Sequence, residues 1–230
     1  MKLPYHINTP SELGMILLLG LNIAASFYFY SHFPERVPIH WNIQGEVDNW
    51  GTPMFAAFFF PVLIVGIYLL MTFLPLVDPK KEKYQQFNKA YTVIRGVMVL
   101  MMTYFYFTSS LNGIGYDIPV DKAIPAGVGL LFIILGNFLP KIKQNWFVGI
   151  RTPWTMSNLD IWQKTHRVGG KLFILAGLLM ITGTFLPTSW WLPIFIAVMA
   201  LTIFGTVGYS WWLWKQSRKP DGKNQNSEQL

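Results

Sequence analysis

The chain has 230 residues, 52% of them hydrophobic and only 13% charged, so a soluble domain of ordinary composition is excluded. The net charge of +7 would suit a nucleic-acid binder, but the basic residues lie between hydrophobic runs rather than on one face, which fits membrane topology better. No cysteine is present, which removes disulfides, thiol catalysis and cysteine metal sites.

Long apolar runs occur at residues 13–30, 53–76, 90–111, 123–139, 168–186 and 190–214. Each is long enough to cross about 30 Å of hydrocarbon as a helix, and none shows the period-2 alternation of a barrel strand. The first run is preceded only by Lys2 and lacks a small-residue cleavage site, so a retained helix is expected rather than a signal peptide. The fourth is short and rich in glycine (Gly127, Gly129, Gly136), and the fifth opens on Gly169, Gly170 and Lys171. The expected fold is all-α: a polytopic membrane protein of six transmembrane helices, with one structured extracytoplasmic loop and one structured cytoplasmic loop.

Strict alternation of six helices puts all but two of the 18 Lys and Arg on one side, leaving only Arg36 and Lys122 on the other. Positive charge is retained in the cytoplasm, so a location in the cell membrane with both termini in the cytoplasm is expected. Three regions follow: a two-helix unit at 1–92, a four-helix unit at 93–214 and a polar tail at 215–230 expected to be disordered. No internal repeat is visible, so an inverted-repeat transporter is not indicated.

The cores of the six runs hold no Asp, Glu, Lys or His. Arg95, near a cytoplasmic end, is expected to snorkel to the headgroups. Asn22, Asn112 and Asn137 offer hydrogen bonds between helices, and Gly20 with Ala24 makes a small-residue spacing that is common by chance.

The outer loop, 32–52, reads as a short hairpin. Pro34 and Pro38 stiffen its first limb, and Ile43-Gln44-Gly45-Glu46 supplies a turn with glycine available for positive φ. His40, Asn42, Glu46 and Asp48 would then gather on one side. Two readings stay open: a structural cap with Trp41 and Trp50 at the interface, or a metal or catalytic site using His40, Glu46 and Asp48. The spacing matches no standard metal motif, and neither metal nor cofactor is expected.

The inner loop, 140–171, is the most distinctive stretch. Thr152-Pro153 forces an extended step, and Ser157 with Asp160 suggests a capping box that starts a helix near Asn158. Trp162 and His166 fall on one helical face, with Lys164, Arg167 and Lys171 on another. The segment reads either as an interfacial helix gripping anionic lipid headgroups or as a cytoplasmic docking surface. No complete acid, base and nucleophile set accompanies it, so no catalytic residue is assigned and an enzyme is not expected.

Gly149-Ile150-Arg151-Thr152-Pro153-Trp154-Thr155, followed by Trp162 and Lys164-Thr165-His166-Arg167, resembles the signature of the SdpI immunity-protein family of bacterial membrane proteins. The outer segment, with Pro34, Pro38, His40-Trp41-Asn42, Gly45, Asp48 and Trp50-Gly51, looks like the short domain of unknown function that often precedes that signature. The resemblance implies immunity to a secreted peptide toxin. It also implies signalling, with a cytoplasmic transcriptional repressor held at the membrane and no direct nucleic-acid binding. Arg151, Thr152, Pro153, Trp154, Trp162, Lys164, His166 and Arg167 are the residues expected to meet such a partner or the lipid. A lipid or small-molecule transporter and a membrane enzyme of cell-envelope metabolism are the competing functions.

Overall fold

The computed structural model describes residues 3–218 and is mostly helical. Helix α1 (Thr9–His32) is capped by Asn8, whose side chain accepts from the Ser11 amide, and Glu12 sits in its first turn beside the positive helix end. A hairpin of β1 (Val37–Trp41) and β2 (Val47–Gly51) follows. Its turn is shaped by Gly45 at φ 82°, while the Asn42 side chain accepts from the amides of Gln44 and Glu46, both at 2.9 Å. The hairpin read from sequence is present. α2 (Pro53–Phe73) opens on a Thr52 cap with proline at its start, and α3 (Asn88–Gly113) and α4 (Val120–Phe138) follow.

The inner loop does not start its helix as expected. The capping box lies at Thr152 and Thr155, which exchange side-chain and backbone bonds at 3.2 and 2.9 Å and start the single turn α5 (Pro153–Ser157). α6 (Leu159–Gly183) is capped by Asn158, which accepts from the amides of Asp160 and Ile161. Ser157 instead donates to the Trp154 carbonyl. An amide side chain one residue ahead of the helix reaches the orphan amides directly, so it takes the cap from the serine. α7 (Trp191–Met199) and α8 (Gly205–Ser217) are joined without a break by a π-helical turn, Ala200–Phe204. The expected tail begins inside α8; beyond residue 218 it lies outside the described residues.

Among the described residues, five helical segments are long and apolar enough to cross a membrane: Thr9–His32, Pro53–Val77, Lys81–Gly113, Val120–Lys141 and Thr188–Ser217. Six were expected. The remaining helix, α6, has 25 residues, but its first half carries Asp160, Lys164, Arg167 and Lys171, which dilute the apolar second half. Large side chains such as Leu17, Val62, Leu70 and Phe204 stand outward, an apolar exterior that suits lipid rather than water.

α1, α2 and α3 pack together around Phe29, Ile64, Val99 and Tyr106. Within this group Asn22 donates to the Thr103 hydroxyl at 2.8 Å, an interhelical bond of the kind its position suggested. Asn112 and Asn137 instead bond nearby carbonyls, and Gly20 faces open space. The second half is organised by α4 against α6. A β-carbon on Gly136 would lie 2.6 Å from the Gly170 carbonyl oxygen, and one on Gly129 would lie 2.7 Å from that of Gly177. The glycines therefore let the two backbones touch, at two levels seven residues apart.

Candidate functional site

At the end where α2 meets α3 and α4 meets α5, the inner loop folds inward instead of lying flat. Ile142 begins an irregular stretch whose buried polar groups satisfy one another. Asn145, fully buried, donates to the carbonyls of Lys143 and Val148 and accepts from the amides of Phe147 and Val148. Gln144 donates to the carbonyls of Thr155 and Met156 and accepts from the Lys80 ammonium. Asp78, just after α2, accepts from the Trp146 amide and the Tyr84 hydroxyl, both at 3.0 Å. The loop after α2 and the loop after α4 are thus bolted together.

The motif side chains complete this scaffold. Trp162 and His166 stack with ring centroids 4.0 Å apart. The Trp162 indole donates to the Ile142 carbonyl at 2.9 Å. His166 Nε2 accepts from the Ile150 amide at 3.0 Å, so Nδ1 carries the proton and donates to the Trp162 carbonyl. Burial in this stack pushes the imidazole pKa down to about 4, which keeps it neutral. Gly149 has φ 118°, and a β-carbon there would lie 2.4 Å from His166 Nε2, so glycine is required on both counts. Thr155 is fully buried, and Thr152 bonds the Ser210 hydroxyl of α8 at 3.1 Å.

The expected partner face is therefore divided. Thr152, Trp162 and His166 are core groups, because a tryptophan stacked on an imidazole hides more apolar area inside than it would at a headgroup. Arg151, Pro153, Lys164 and Arg167 stand exposed and Trp154 is half-buried. The Arg151 guanidinium donates to the Trp146 carbonyl, Lys164 pairs with Asp160 at 2.8 Å, and Trp154 lies 6.3 Å from Trp214, over which Arg218 rests. An exposed rim of cations and tryptophans surrounds a buried scaffold.

A second polar cluster was missed. Arg95 does not snorkel: it is 1% exposed, pairs with Glu12 at 2.6 Å, donates to the Thr72 hydroxyl at 2.6 Å and lies against the rings of Tyr5 and Tyr68. The Tyr68 hydroxyl bonds the same carboxylate at 2.9 Å. A carboxylate in reach outcompetes a headgroup, because the ion pair needs no stretched side chain. The partner precedes the first apolar run and is 83 residues away, so the sequence carried no local signal for it.

At the opposite end, His40 and Asp48 pair at 2.5 Å across the hairpin, and Asn42 donates to Glu46 at 3.1 Å. These are two separate pairs; His40, Glu46 and Asp48 are exposed, and Trp50 is 46% exposed. Among the described residues no three His, Asp or Glu side chains gather to hold a metal ion. Trp41 turns toward the helices, where it helps line a cavity of about 460 Å³.

These features define a helical membrane protein with a capped hairpin at one end and a bolted polar scaffold at the other. The model of the SdpI/YfhL protein family matches residues 141–210, which holds the scaffold, and a domain of unknown function, DUF1648, matches residues 17–65, which holds the hairpin. It is 27% identical over 189 residues to Immunity protein SdpI of Bacillus subtilis (strain 168), covering 82% of this chain and 88% of that one. No solved structure matches.

Proposed function

We propose that this protein confers immunity to a secreted peptide toxin on the cell whose membrane carries it. The observation that carries this reading is the similarity to an immunity protein across 82% of the chain, through both the hairpin unit and the scaffold unit. The proposed arrangement has six spans, with both ends of the chain in the cytoplasm. α6 is the sixth, supported by its glycine contacts with the apolar α4 at Gly170 and Gly177. The hairpin then faces outward, where a secreted peptide arrives, and the scaffold faces the cytoplasm. The protein acts by binding, with lipid and peptide as partners and no catalytic step. The exposed rim of Arg151, Trp154 and Arg167 provides the docking face for a cytoplasmic repressor. A planar guanidinium pairs bidentately with a carboxylate or phosphate in a way that lysine does not.

The test expresses the protein in cells sensitive to a candidate toxin, with Arg151→Lys at a matched membrane level. Expression is expected to raise survival, and Arg151→Lys is expected to lower recruitment of a candidate repressor to the membrane. Survival equal to that of empty cells with every candidate peptide would overturn the immunity reading; unchanged recruitment would overturn the docking face.

A further inference from the structure

The cavity at the hairpin end takes no part in the scaffold or its rim. It lies where β1, the start of α4, the end of α3 and the start of α7 meet. Trp41, Phe105, Ile124, Trp191 and Phe195 form apolar walls, with His40, Asn42, Ser109 and Asp121 among its polar lining. At about 460 Å³ it falls within the usual range for small-ligand pockets, about 300–1,000 Å³. The hairpin is fixed above it: a β-carbon on Gly45 would lie 2.6 Å from that of Asp121, so the turn rests directly on the first turn of α4.

Two observations narrow the occupant. Among the described residues the sheet has two strands, so β1 keeps one edge without a strand partner there. Five successive residues, Ile39 to Ile43, line the cavity. Ile39, His40 and Trp41 belong to β1, whose pairing with β2 is irregular about His40, and Asn42 and Ile43 to the turn; side chains of a strand alternate between its faces, so three consecutive strand residues lining one space bring the strand's edge to it, with backbone groups for an added strand. The second observation is charge. The segments 33–52 and 114–122 carry five carboxylates against Arg36 and Lys122, in a chain that is otherwise strongly basic. Of these carboxylates Asp121 lines the cavity itself, and a carboxylate there disfavours anionic headgroups and attracts cationic side chains.

The geometry points to this cavity as the docking site for an extended, cationic segment of an extracytoplasmic peptide, which adds along β1, buries apolar side chains against Trp41, Phe105 and Phe195, and sets lysine or arginine against Asp121. It deepens the immunity reading and rests on it for the origin of the peptide. The recognition itself is a property of the purified chain.

The experiment uses the full chain in phosphatidylcholine nanodiscs and a fluorescent peptide of alternating Leu and Lys, with a Leu and Glu peptide as the charge-reversed control. Fluorescence anisotropy is expected to show the Leu–Lys peptide binding at least about tenfold more tightly than the control. Asp121→Asn, which keeps the shape, is expected to weaken it by about threefold, the scale of one partly exposed ion pair. Ile124→Trp fills the cavity and is expected to abolish binding. Equal binding of the two peptides, undiminished binding by Ile124→Trp, or a copurified phospholipid that the Leu–Lys peptide cannot displace would each overturn the site. Toxin survival is read separately. Peptide binding without protection sinks the immunity reading and leaves the site; protection without binding does the reverse.

Discussion

The side chains of Arg95 and Glu12 are only 2% and 12% exposed, so each depends on the other for compensation. Removing one partner of such a pair leaves an uncompensated buried charge and costs about 3–5 kcal/mol, whereas replacing both with apolar groups of similar size costs far less. Arg95→Met or Glu12→Gln alone is therefore expected to lower the thermal unfolding temperature of the solubilised protein sharply, and Arg95→Met with Glu12→Leu to recover much of it. Strictly additive losses would show that the two side chains do not act as a pair. His166 behaves in the opposite sense. Its pKa is held at about 4 against an ordinary 6.5, so between those values the unfolded chain binds a proton that the folded one refuses. Stability is then lost as pH falls through that window, by up to about 1.4 kcal/mol per pH unit, and this group contributes no slope above pH 6.5. Melting at pH 5 is expected below that at pH 7.5, with a shallower difference in His166→Gln; an unchanged difference would remove His166 as its source. At this scale the residue types were legible and their placement was not. The pattern from Gly149 to Arg167 marked the segment as distinctive, but whether Trp162 and His166 faced inward or outward depended on Ile142 and Ile150, which no local periodicity connects to them.

The hairpin was legible as an element because prolines and a turn glycine act on their own neighbours. The start of α6 was legible to within a residue, and the miss concerned which side chain reaches the orphan amides. Harder to read was the contact between α4 and α6: the glycines were conspicuous, but their meaning needed both helices in register. Each of Gly129, Gly136, Gly170 and Gly177 meets a carbonyl oxygen of the facing helix closer than any β-carbon tolerates. Gly170→Leu is therefore expected to force the helices apart and to reduce the protein recovered from membranes in folded form, while Gly66→Leu on α2, where nothing lies within 4 Å of the added β-carbon, is expected to be near neutral. Equal recovery of the two variants would mean that the glycine contact does not hold α4 to α6.

For the whole molecule the two ends differ in charge and construction. The end holding the hairpin is rich in carboxylates and keeps a cavity, while the scaffold end is basic and tightly bonded. Hydropathy and the placement of lysine and arginine made this polarity legible from sequence. The span count was less so, because α6 is half polar and its second half depends on α4 for partners. We propose that the chain crosses the membrane six times, with the hairpin outside and the scaffold inside. The natural chain has no cysteine, so single-cysteine variants can be labelled in intact cells with a membrane-impermeant maleimide without background from the protein itself. Gln44→Cys in the hairpin turn, Ser189→Cys between α6 and α7, and Lys164→Cys on the scaffold rim replace exposed residues. The account predicts labelling of Gln44→Cys and Ser189→Cys in intact cells and of Lys164→Cys only after the membrane is opened. Labelling of Lys164→Cys in intact cells, or protection of Ser189→Cys while Gln44→Cys reacts, would contradict it.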